Sequence, residues 1–197
     1  MRSRRKSRPR WRMCWTGAAA EGQREYWGVA LHFHFPGFED TLAAGRSLGG
    51  VTDSEGLVLA LEGPLGAGKT VFVKGFAAGL GIDPDRVASP SFVLVHEYPV
   101  PGGRSLAHVD LYRVGCVHEL EEAGFLDLQE PGALLAVEWG DRFPEALPED
   151  RLDIRLLRSR QAPNERRMIT AARGPCSQRV LQRWLACLAQ PEIPEAE

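Results

Sequence analysis

The strongest chemical signal in the chain is the run Gly63-Pro64-Leu65-Gly66-Ala67-Gly68-Lys69-Thr70. It fits G-x-x-x-x-G-K-[ST] at every position. Glycines let the backbone curl so that successive N–H groups point at one anion. A helix starting at such a loop adds partial positive charge. In this pattern Leu65, Gly66, Ala67, Gly68, Lys69 and Thr70 hold the phosphates of a nucleotide. Lys69 bridges the β- and γ-phosphates, and the Thr70 hydroxyl is a ligand for Mg²⁺. The plainer alternative is a glycine-rich turn between a strand and a helix. The flanks favour the phosphate loop. An apolar run at 56–62 (GLVLALE) precedes it, and a helical pattern over 70–80 follows, closed by Gly81.

A nucleotide site of this kind needs an acid near the metal, at the end of a neighbouring buried strand. Glu138 closes the apolar run Leu134-Leu135-Ala136-Val137 and is the first candidate. Asp110 ends another strand and is the second. Each has a plain alternative as a surface carboxylate at a strand end. Arg113 and Arg142 could neutralise phosphate charge, with ordinary salt bridging as the competing role. The sequence carries no Asn/Thr-Lys-x-Asp signature of guanine-specific GTPases, which favours ATP. It also carries no long Arg-rich lid and no LSGGQ-like signature.

The elements that must position these residues follow from periodicity. Leu31, Phe33 and Phe35 alternate along a half-buried strand, with His32 and His34 on its other face as solvent-facing positions or a metal pair. Residues 38–48 read as a helix stopped by Gly49-Gly50. Residues 91–98 and 105–112 read as strands joined by a turn at 99–104, and 118–124 as a short acidic helix. Residues 133–139 form another apolar strand; 151–158 and 166–172 alternate as later strands. In a last helix over 177–190, with Ser177 as N-cap, Val180, Leu181, Trp184, Leu185 and Leu188 share one face. Strands alternating with helices predict a single α/β domain of P-loop NTPase type over 29–190. Its central sheet should be small, mostly parallel and flanked by helices.

The 197 residues are 44% apolar and 25% charged, an ordinary globular mix. No run approaches the ~20 apolar residues of a membrane helix. Cys14, Cys116, Cys176 and Cys187 are scattered without a CxxC pair, which argues against a disulfide scaffold or a cysteine zinc site. A cytoplasmic protein with reduced thiols is expected. Residues 1–28 hold eight Arg or Lys against two Glu, whereas the rest holds 16 basic against 24 acidic residues. The first segment reads as a disordered basic leader, with an RNA-touching arm or an organelle transit peptide as alternatives. Residues 191–197 form an acidic tail.

Four ordered blocks resemble the TsaE (YjeE) family of bacterial P-loop ATPases. They are residues 61–70, then 89–98 (SPSFVLVHEY), then His108-Val109-Asp110-Leu111-Tyr112-Arg113, then 136–142 (AVEWGDR). Glu119-Leu120-Glu121-Glu122-Ala123-Gly124 matches that family's E-L-x-x-x-G. The resemblance spans about 31–160 and excludes leader and tail. It implies ATP as nucleotide, Mg²⁺ held by Thr70 and Glu138, and Asp110 near the γ-phosphate. It also implies a switch-like loop at 89–93, Trp139 beside the nucleotide or a partner, and adenine packing near 38–41. The family's usual S-P-T-[FY]-T is here Ser89-Pro90-Ser91-Phe92-Val93, so one hydroxyl is lost at Val93; Asp141 replaces a Glu.

The implied function is ATP hydrolysis to ADP and phosphate in service of a TsaB–TsaD complex. That complex makes threonylcarbamoyladenosine beside the anticodon of tRNA, and tRNA is reached only through it. Lys69, Asp110 and Glu138 would carry the catalysis. Two alternatives stand beside this: a small-molecule P-loop kinase, and a nucleotide-gated binding module that does not need hydrolysis.

Overall fold

The structure is a computed structural model, and it describes residues 12–14, 31–159, 162 and 164–189. Its strands are β1 (Arg12–Cys14), β2 (Leu31–Phe35), β3 (Leu57–Glu62), β4 (Val95–Val100), β5 (Arg104–Asp110), β6 (Leu134–Glu138), β7 (Leu152–Arg158) and β8 (Arg166–Ala172). The helices are α1 (Phe38–Val51), α2 (Lys69–Gly79), α3 (Val117–Glu122) and α4 (Pro175–Ala189). All the described strands join one sheet in the order β1-β2-β8-β7-β3-β6-β5-β4.

The centre of that sheet is parallel, as expected: β7, β3, β6 and β5 run the same way. Its flanks are antiparallel, with β8, β2 and β1 added on one side and β4 on the other. Short connections account for two of these pairs, β4 with β5 and β7 with β8. The 101–103 turn between β4 and β5 is too short for a parallel crossover. Three residues of the basic leader, Arg12, Met13 and Cys14, pair with His34, Phe33 and His32. The rest of that segment and the acidic tail lie outside the described residues.

Alternation along β3 builds two cores. Leu57, Leu59 and Leu61 pack with Phe72, Phe76 and Trp184 on the face covered by α1, α2 and α4. Ala60 and partly buried Val58 face the opposite layer, with Leu111, Leu120, Phe125 and Phe143. Trp184 is fully buried, stacked on Phe33 at 5.6 Å and edge-on to Phe72 at 6.2 Å. No helix among the described residues is long and apolar enough to cross a membrane.

Two sequence expectations need correction. Gly49 and Gly50 do not stop α1, which runs through them to Val51. Gly49 is buried because α1 and α2 meet backbone to backbone. A methyl group at Gly45 or Gly49 would overlap the carbonyl of Phe72 or Phe76. A methyl group at Gly75 or Gly79 would overlap the carbonyl of Leu42 or Arg46. Second, Ser177 does not cap α4, which begins at Pro175. The cap comes from Asp150, whose carboxylate accepts the N–H of Cys176 at 2.7 Å and of Ser177 at 2.9 Å.

The glycine contact gives a prediction. By helix propensity alone, Gly75→Ala would stabilise α2 by about 1 kcal/mol. Overlap with the Leu42 carbonyl opposes this, and overpacking of a close contact costs roughly 1–3 kcal/mol. A net loss is expected in denaturant unfolding; a gain in stability would show that the two helices part at little cost.

Candidate functional site

Strand register brings the predicted acids together. Asp110 lies opposite Glu138 across β5 and β6, and Glu138 lies opposite Leu61 across β6 and β3. Both carboxylates therefore stand at the C-terminal ends of adjacent parallel strands, where ligands bind in open α/β sheets. The chain leaves β3 at the same end, turns through the loop, and enters α2 at Lys69. Gly63, Gly66 and Gly68 have φ of 134°, 73° and 105°, left-handed conformations that side chains rarely adopt. A cleft of about 410 Å³ opens there. The loop residues Leu65, Gly66, Ala67, Gly68, Lys69 and Thr70 line it, with Ser89, Ser91, Asp110, Glu138 and Trp139 facing them.

The Thr70 hydroxyl donates to Glu138 Oε1 at 2.7 Å. The Lys69 ammonium is turned back on its own loop, donating to the carbonyls of Gly63 at 2.7 Å and Pro64 at 3.2 Å. It also sits 3.7 Å above the centre of the Trp139 ring. Lys69 is 4% exposed. Burial pulls its pKa down, against the upward pull of Glu138, Asp110 and Asp141. Trp139 itself has φ of 62°, and Tyr112 packs on its ring at 4.9 Å. A left-handed residue with a bulky side chain is strained and held only by its surroundings.

Both oxygens of Asp110 accept hydrogen bonds. Its Oδ2 accepts the hydroxyls of Ser89 at 2.7 Å and Ser91 at 2.6 Å, and its Oδ1 accepts the Tyr112 N–H at 2.9 Å. The carboxylate thus latches the 89–93 segment, expected to be a strand from 91 on, as a turn ahead of β4. Val93 is 60% exposed and outside the cleft lining, so its missing hydroxyl takes no contact from the cleft. Phe38 and Thr41, at the start of α1, line the cleft's other side.

Neither predicted arginine lines the cleft. The Arg113 guanidinium stacks 4.2 Å from the Phe92 ring centre, and Arg142 donates to the Val114 carbonyl at 2.7 Å. His34 turns to Glu165 at 3.1 Å, and among the described residues no cluster of three or more His, Cys, Asp or Glu could hold a metal.

Two site residues escaped the sequence. Arg166 of β8 lines the cleft and donates to the Ala67 carbonyl at 3.1 Å. His108 of β5 is fully buried, with Nε2 2.9 Å from Glu138 Oε1. An ionised carboxylate only accepts, so the ring must donate from Nε2. His108 Nδ1 has no hydrogen-bond partner among the described residues. The available signal was spacing: His108 and Asp110 are two residues apart on one strand and so share a face. His108→Leu should cost about 1–3 kcal/mol in unfolding experiments, since it removes a donor from a buried carboxylate. His108→Gln, whose amide can reach the same oxygen, should recover part of that loss.

A glycine loop joining a central parallel strand to a helix, with a lysine, a threonine and two strand-end acids around one cleft, defines a P-loop nucleotide-binding protein. A family model for the threonylcarbamoyl adenosine biosynthesis protein TsaE matches residues 36–168. The chain is 41% identical over 130 residues to the tRNA threonylcarbamoyladenosine biosynthesis protein TsaE of Mycobacterium tuberculosis, covering 62% of this chain and 76% of that one. It is 37% identical over 118 residues to the same-named protein of Treponema pallidum, covering 60% and 84%. The crystal structure of Bacillus subtilis YdiB superposes with a TM-score of 0.60 at 34% identity, covering 80% of this chain and 95% of that one. The chain belongs to the TsaE family, and with it to tRNA threonylcarbamoyladenosine biosynthesis.

Proposed function

We propose that this protein binds ATP with Mg²⁺ in the P-loop cleft and hydrolyses it to ADP and phosphate, driving the cycle of a TsaB–TsaD complex in the cytoplasm. The observation that carries the reading is the convergence of Lys69, Thr70, Asp110 and Glu138 on one cleft at the strand ends. Residues 29–190 act as the ATPase domain. The loop from Leu65 to Thr70 holds the phosphates through its N–H groups and the Lys69 ammonium.

The Thr70 hydroxyl and the Glu138 carboxylate are hard oxygen donors already in contact, a set that suits Mg²⁺. When bound, the ion neutralises charge building on the phosphates. Lys69 must leave the Gly63 and Pro64 carbonyls to reach the nucleotide, so binding rearranges the loop's own hydrogen bonds. Asp110 would orient a water beside the γ-phosphate. Its two serine partners couple that task to the 89–93 turn. Phosphoryl transfer asks for positioning and charge more than covalent chemistry, which fits a site built of such groups. The acidic body makes tRNA a client reached through the complex rather than a direct ligand.

The test is phosphate release from ATP by the full chain, alone and with TsaB and TsaD from the same organism. Strong stimulation by the partners supports the reading. A rate indifferent to them removes the partner assignment, and transfer of the γ-phosphate to a metabolite replaces hydrolysis with kinase activity.

A further inference from the structure

The phosphate loop is buttressed from a part of the chain far away in sequence. Arg166 opens β8, paired with Phe35 of β2 on one side and Arg158 of β7 on the other. Its Nε donates to the Ala67 carbonyl at 3.1 Å, across 99 positions of sequence, and its Nη1 donates to the Glu165 carbonyl at 3.0 Å. The guanidinium is therefore held at the loop by a backbone carbonyl, that of Ala67, and at its own strand by another, that of Glu165.

We infer that Arg166 is a positioning residue that sets the phosphate loop for its anion by clamping the Ala67–Gly68 peptide. A peptide group is planar and trans, so its C=O and the following N–H point in opposite directions. With the Ala67 carbonyl held by Arg166, the Gly68 N–H is turned the other way, and we place the anion on that side. Gly68 is the residue whose freedom this most affects: its φ is 105°, and without a side chain the peptide before it rotates readily. Gly68 also starts α2, since its carbonyl accepts the Phe72 N–H at 2.9 Å. One hydrogen bond from β8 thus fixes the orientation of the last loop peptide before the helix.

The surroundings agree. Arg166 is partly buried, and both burial and the neighbouring Arg158 draw its pKa down. A second cation beside it costs energy that an incoming phosphate would relieve. A guanidinium is suited to this position because its planar fork holds two carbonyls at a fixed angle.

The inference rests on the nucleotide reading, and the experiment separates the two. The full chain and its Arg166→Leu variant are titrated with ATP and with magnesium tripolyphosphate, which has the phosphates but no nucleoside. Melting curves of both proteins establish that the variant is folded. The clamp predicts that the variant loses about tenfold in affinity for both ligands, by the same factor. The loss should persist in about 0.5 M salt, because a short hydrogen bond is not screened as a distant charge is. A loss for ATP with tripolyphosphate unchanged would make Arg166 a contact to the nucleoside, near Phe38 and Thr41, and overturn the clamp. A loss that vanishes in salt would make it a point charge and overturn it equally, as would unchanged affinity for both. Failure of the wild-type chain to bind ATP would instead remove the nucleotide reading itself.

Discussion

Lys69→Ala is expected to lower ATP affinity by on the order of a hundredfold, about 2.7 kcal/mol, while leaving the fold intact. The ammonium is the cation that bridges the phosphates in a P-loop, and no other Lys among the described residues lines this cleft. Stability should change far less. In the free protein the Lys69 charge is buried and held by two neutral carbonyls, so desolvation offsets much of what those bonds contribute. Removing it also frees the Gly63 and Pro64 carbonyls, which sit in a loop and can turn to water. Calorimetric titration with ATP, beside a denaturant melt, checks both halves. Undiminished affinity would sink the P-loop assignment.

Glu138→Gln is the second large effect, and it separates binding from chemistry. Glutamine keeps the shape and can still accept from Thr70 and His108, so the cleft should survive. What is lost is the negative charge beside Thr70, which with Glu138 is proposed to hold Mg²⁺. Removing one preorganised electrostatic group from a reaction centre typically costs 10²–10³ in rate. Hydrolysis should fall by roughly that factor, with ATP still bound within about tenfold of the wild-type affinity. In cells, loss of function would mark a hydrolysing enzyme. Full function with hydrolysis gone would mean that occupancy alone matters, and the protein would be a nucleotide-gated module.

The site was legible where its logic is local. The loop from Gly63 to Thr70 is contiguous, and the phosphate geometry dictates the residue types at Gly63, Gly68, Lys69 and Thr70. Glu138 and Asp110 were legible one step less directly, because a carboxylate ending an apolar run has few uses on a buried strand. Arg166 was not legible: it reaches the loop through a β2-β8-β7 arrangement that no short window encodes. The same holds for Asp150, which caps a helix 25 residues later in the chain. The glycines of α1 misled for a physical reason. Glycine commonly ends helices, and only the partner helix shows that Gly49 is there for its lack of a side chain. Arg113 and Arg142 were reasonable phosphate ligands by charge, yet one is taken by an aromatic ring and the other by a carbonyl.

The backbone contact between α1 and α2 has a mechanical meaning for the cleft. With no layer of side chains between them at the glycines, neither helix can shift toward the other without backbone overlap. Phe38 and Thr41 at the start of one therefore move with Thr70 at the start of the other, as a single stiff jaw. The opposing jaw is the 89–93 turn, held by the Ser89 and Ser91 hydroxyls on Asp110 and by the Arg113 guanidinium on the Phe92 ring. That side carries Phe92 and Val93 on the surface, so a protein pressing on them would act on the turn that Asp110 holds.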